Sequence, residues 1–97
     1  MEEIFEAIKS TRVKISFICY NGNNENDILK FIVDCGFIPF LFDKNIKEDK
    51  KIKYILQNGK SGDIKIGDYL VFEHYSKDLI LMNEYFFKSI YNIIKIK

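Results

Sequence analysis

Between residues 51 and 82, turn residues cut every apolar stretch before it grows long. The cuts fall at Asn58-Gly59, Gly62-Asp63, Gly67-Asp68 and residues 75–78. In residues 51–57, Ile52, Tyr54 and Leu56 alternate with Lys53, Ile55 and Gln57. Ile64 and Ile66 follow, then residues 69–74 (YLVFEH) and 79–82 (LILM). Period-two alternation bounded by Gly, Asn and Asp reads as strands joined by tight turns, so this half predicts a meander of short antiparallel strands. The composition leans the same way: 17 Ile, 9 Phe and 6 Tyr stand against a single Ala. Such β-branched and aromatic side chains suit a pleated, half-buried surface.

The first half reads differently. Ile4, Phe5 and Ile8 share a helical stripe, and Glu2, Glu3 and Glu6 sit where acids favour the helix dipole. Residues 2–9 therefore predict a short amphipathic helix. Residues 12–20 (RVKISFICY) alternate and predict a strand. Asn24 or Asn26 offers an N-cap to a helix starting near Glu25, in which Ile28, Leu29, Ile32 and Cys35 recur before Gly36, a left-handed C-cap. Residues 37–42 (FIPFLF) are wholly apolar, and Pro39 makes them an edge strand or a strand beginning just after it. Residues 43–53 read as a charged, solvated loop. Asn83 caps a last helix running to about Ile94, with Phe86, Phe87, Ile90 and Ile94 as its core stripe. The fold class is α+β: a small antiparallel sheet of about five strands with two or three helices packed on it, one domain over residues 1–97.

The apolar fraction of 47% and charged fraction of 30% exclude a disordered tail. No apolar run approaches the roughly 18–20 residues a membrane helix needs, and Met1-Glu2-Glu3 lacks a signal peptide's basic flank. The expectation is a cytoplasmic protein with no membrane association. Fifteen basic residues against fourteen acidic ones, with Lys at 14 of the 15, give little basis for nucleic-acid binding.

Little in the chain suggests catalysis. Asn58-Gly59-Lys60-Ser61 ends like a phosphate loop, but Tyr54 stands where another Gly is required, so it reads as a plain turn. Cys19 and Cys35 read as free thiols acting as small hydrophobes: one His and two Cys cannot complete a zinc site, and an intracellular setting disfavours the disulfide they could form if they meet across the core. His74 is read as solvent-facing at a strand end, although a nucleophile pair built on it depends on what it meets in space. Asp63 and Asp68 read as turn residues bonding their own backbone. No catalytic residue, metal ligand or cofactor is assigned. Lys44, Lys47, Lys50, Lys51 and Lys53 are interleaved with Asp43, Glu48 and Asp49, giving a local excess of two positive charges. The reading is a solvated loop or a contact surface for an acidic partner.

Two stretches carry a resemblance. One is the basic apolar strand and capped helix from Arg12 to Val33. The other contains Gly62-Asp63, then Gly67-Asp68 followed by the aromatic Tyr69, and ends in a helix with Phe87 and Tyr91 four apart. Together they resemble a family of small phage and prophage proteins of unassigned function, over about two-thirds of the chain. The resemblance implies a phage-like origin and no activity. The bias toward Ile, Lys, Asn, Phe and Tyr, which share A/T-rich codons, is consistent with an AT-rich bacterial or phage genome.

With that origin, few catalytic candidates and tyrosines near turns, the expected role is non-enzymatic binding of a host protein. Its sharpest form is an inhibitor of a host defence nuclease, of anti-CRISPR type. The expected contacts are Lys47, Lys50, Lys51, Lys53 and Tyr75. The alternative is a small nucleotide- or nucleic-acid-binding module using residues 44–60. The apolar run adds an expectation of homodimerisation. A strand without alternation needs cover on both faces, and only the helix of residues 2–9 remains to supply the second. Phe37, Phe40 and Phe42 are therefore expected at a self-association surface, with a monomer lidded by that helix as the competing reading.

Overall fold

The computed structural model describes residues 5–9, 14–44 and 50–95, with side chains over 14–44 and 50–91. The elements are strands β1 (Phe5–Lys9) and β2 (Lys14–Cys19), helix α1 (Glu25–Asp34), and strands β3 (Pro39–Asp43), β4 (Ile52–Leu56), β5 (Ser61–Ile64), β6 (Tyr69–Glu73) and β7 (Asp78–Met82). Helix α2 (Glu84–Ile90) and strand β8 (Tyr91–Lys95) complete the chain. The fold is α+β with antiparallel pairing throughout, but the strands form two sheets rather than one. The larger is ordered β7-β6-β2-β1-β8 and the smaller β3-β4-β5.

Pairing across the larger sheet explains its core. Ile18, Leu70 and Leu81 share a cross-strand row on one face, and Phe17, Val71 and Ile80 share one on the other. Helix α1 and the smaller sheet cover the first face, where Ile28, Phe31, Ile32, Ile52, Tyr54 and Leu56 meet Ile18, Tyr20 and Leu70. Helix α2 covers the second face through Phe87, which packs with Ile15, Phe17, Val71 and Tyr91.

Two predicted helices change. Over the described part of 2–9 the chain is strand β1, paired with β2 on one side and β8 on the other. A stripe at Ile4, Phe5 and Ile8 fits a helix locally, but ladders on both edges satisfy the strand's backbone and override that preference. The last helix stops at Ile90, because Tyr91 is already extended (φ −113, ψ 138) and opens β8. Its expected core stripe shrinks to Phe87: Phe86 and Ile90 are exposed, and the side chain of Ile94 lies outside the described residues.

The local signals fared better. Gly36 takes φ +94, with Gly36 N–H donating to Val33 O (2.9 Å) and Phe37 N–H to Ile32 O (3.2 Å), a Schellman ending to α1. Asn83 caps α2 through Phe86 N–H (2.9 Å). Asn24 occupies the N-cap position of α1 but makes no cap bond. Its side chain accepts from Asn21 N–H (2.9 Å) and donates to Cys19 O (2.9 Å), folding the turn after β2 instead. Asp68 closes a turn by accepting from Lys65 N–H (2.9 Å), whereas Gly62 and Asp63 lie inside β5 and not in a turn.

Candidate functional site

The run at 37–42 is an edge strand, and a bulge between Pro39 and Leu41 breaks its alternation. Phe37 and Phe42 are half-buried against the core, while Ile38, Phe40 and Leu41 are 60%, 75% and 37% exposed. Of the three phenylalanines expected at a self-association surface, only Phe40 is turned out, with Ile38 and Leu41 as companions. The expected helical lid does not cover them, since residues 5–9 form β1 in the other sheet. A shallow groove of about 400 Å³ opens beside this strand, lined by Phe37, Ile38, Leu56, Gln57 and Asn58.

A second apolar surface lies on α2, which packs on the opposite face of the larger sheet. Tyr85 and Phe86 are 79% and 58% exposed, and Ile90 is also exposed. They are presented because α2 has only seven residues and buries one of them, Phe87. An ion pair between Lys88 and Glu84 (2.8 Å) borders them. The sequence offers Phe86 and Ile90 as core and Tyr85 as a tyrosine near an element end, but of that stripe only Phe87 is buried on α2.

The expected partner contacts do not converge. Tyr75 is 90% exposed in the turn between β6 and β7, where His74 N–H donates to Lys14 O (3.0 Å) at the start of β2. Lys50 sits at the other end of that strand, where Tyr20 Oη donates to its carbonyl (2.7 Å). About six residues of strand separate the two ends, or roughly 20 Å. Lys47 lies outside the described residues. Lys51 is half-buried. Lys53 stands opposite Asp43 on β3 and Asp63 on β5. Lys44 donates to Asn26 Oδ1 (3.1 Å), and Lys60 pairs with Asp78 (2.6 Å).

His74 is exposed and meets Ser16, whose Oγ shares a 2.7 Å hydrogen bond with His74 Nε2. Phe72 packs edge-on against the same ring at 5.0 Å. Among the described residues no carboxylate orients the ring's other nitrogen, which a nucleophilic serine relies on. Cys19 and Cys35 form no disulfide and are half-buried, and burial pushes the Cys19 thiol upward, away from the reactive thiolate. Among the described residues no three His, Cys, Asp or Glu side chains gather as a metal site, and no helix is long and apolar enough to cross a membrane.

Tyr91, beneath α2, donates to Glu73 Oε2 (3.2 Å). Burial first, and then the Glu73 charge and hydrogen bond, push its phenol up to about 12. The fold therefore favours neutral Tyr91: this contribution is intact below the unfolded value near 10 and is lost as pH rises from there toward 12. At about pH 11 a single phenol so shifted costs about 1.4 kcal/mol of stability. Urea titrations at neutral and alkaline pH should show a smaller alkaline loss for Tyr91→Phe than for the parent. Equal losses would disprove the shift.

No protein-family model, curated protein or solved structure matches this chain.

Proposed function

We propose that this chain is a small binding protein that acts without catalysis, holding a protein partner against the exposed face of α2. The observation that carries the reading is Tyr85 beside Phe86, two mostly exposed rings on a helix that buries only Phe87. Exposed aromatic surface is costly in water, and aromatic residues are enriched at protein interfaces. The lysines favour a protein over a nucleic acid: Lys60 is ion-paired, Lys53 is flanked by two aspartates, and Lys44 is tied to Asn26. A phosphate-binding surface would leave such charges available. On the resemblance to small phage and prophage proteins, the partner is a host protein in the cytoplasm. Inhibition of a host defence nuclease, of anti-CRISPR type, is the sharpest form of the proposal.

Co-purification from a bacterial host lysate tests it. The parent should retain one protein at near-stoichiometric yield in about 0.5 M salt, where exposed charge contacts are largely screened. Phe86→Glu and Tyr85→Ala should lower that yield at least tenfold with unchanged circular dichroism. Recovery of no such protein, recovery unaffected by either substitution, or recovery of salt-sensitive RNA or DNA in its place would each refute the reading.

A further inference from the structure

We infer that two copies of this chain pair through the outer edge of β3, joining their smaller sheets into one six-stranded sheet across a two-fold axis. This surface is separate from the α2 face, so the inference does not depend on the reading above. The smaller sheet has two edges. β5 is held against the larger sheet: the Cβ position of Gly62 lies 3.1 Å from Leu81 Cδ2, and Lys60 pairs with Asp78 of β7 (2.6 Å). No described strand lies on the outer side of β3. An edge strand of this kind is a template for a further strand.

The side chains identify a second copy as the occupant. Phe40, Ile38 and Leu41 are 75%, 60% and 37% exposed. Taking about 200 Å² for an exposed aromatic side chain and somewhat less for Ile and Leu, they present on the order of 300 Å² of apolar surface per copy. A pair then buries about 600 Å², close to the apolar share of the smallest stable interfaces, which total about 1,200 Å². Strand backbone and rim supply the remainder. Antiparallel pairing of a strand with its own copy is self-complementary, so Leu41 lies opposite its own mate near the axis and assembly closes at two. Pro39 has no N–H to donate, and the bulge at Phe40 interrupts the ladder, so backbone pairing is short and centred on Leu41, with the neighbouring side chains supplying the rest of the contact. Both features weaken the dimer, placing its dissociation constant at about 10–100 µM.

Sedimentation equilibrium across that concentration range tests the inference. The parent mass should rise from 11.5 kDa toward twice that value. Phe40→Glu should raise the dissociation constant at least tenfold, and Phe86→Glu should leave it unchanged. Mild oxidation of Leu41→Cys should give a covalent dimer that the parent does not form, because facing residues of an antiparallel pair lie within disulfide reach. A parent that stays at 11.5 kDa, assembly beyond two copies, a Phe40→Glu dimer as tight as the parent's, or a Leu41→Cys protein that dimerises without cross-linking would each overturn the pairing. The cross-linking arm stands even if Phe40→Glu disturbs the fold.

Discussion

Phe87→Ala is expected to lower the unfolding free energy by about 3–5 kcal/mol, the usual cost of truncating a fully buried aromatic side chain. The ring is completely buried. It stacks on Tyr69 (4.2 Å between centroids, 5° between planes) and meets Phe17 at 4.6 Å and Tyr91 at 5.3 Å. No other residue of α2 is buried, so the seven-residue helix has one anchor. A helix this short does not persist alone in water, so losing the anchor should loosen α2 as well as leave a cavity. A domain of this size has about 5–15 kcal/mol in total, which makes the expected loss a large part of it. Urea unfolding followed by circular dichroism measures the effect, with Phe87→Leu expected to lose less. A loss below about 1 kcal/mol for Phe87→Ala would mean that α2 is held by something other than this ring.

The parts of this fold legible in the sequence are those fixed by neighbouring residues. Gly36 and Gly67 take φ +94 and +93 where turn chemistry called for them, and Asn83 bonds Phe86 N–H as a cap should. What could not be read depends on distant partners. The apolar stripe over residues 2–9 pointed to a helix, and pairing of residues 5–9 with residues 14–15 and 91–95 overrides it. The candidate site follows the same division. Phe40 was legible as an exposed apolar edge because Pro39 marks the edge. Phe86 was not, since it adjoins Phe87 in one apolar stripe, and only the packing of Phe87 against Phe17 and Tyr69 decides which of the two faces the sheet. Tyr75 and the lysines near Lys50 looked combinable only because sequence carries no record of β2 standing between them.

Gly62 shows how a turn-like residue can serve as a core residue, and Gly62→Val should cost about 3 kcal/mol or more, at the upper end of overpacking. Gly62 sits in β5 directly opposite Tyr54 of β4. Any Cβ there would lie 2.9 Å from Tyr54 Oη, 3.0 Å from its Cε2 and 3.1 Å from Leu81 Cδ2. Tyr54 is only 1% exposed, so its ring cannot swing into solvent to make room. Backbone strain is not the reason, because Gly62 is absent from the glycines with positive φ. Gly59 supplies the contrast: at φ +91 with no atom within 4 Å of its Cβ position, Gly59→Ala strains the backbone without a clash. Truncating the ring with Tyr54→Leu should therefore recover at least about 1 kcal/mol of the cost of Gly62→Ala in a double-mutant cycle. The same truncation should leave the cost of Gly59→Ala unchanged, since that cost has no partner side chain to relieve. If Gly62→Ala and Tyr54→Leu prove additive, the space between β5 and the ring is not what selects glycine at this position.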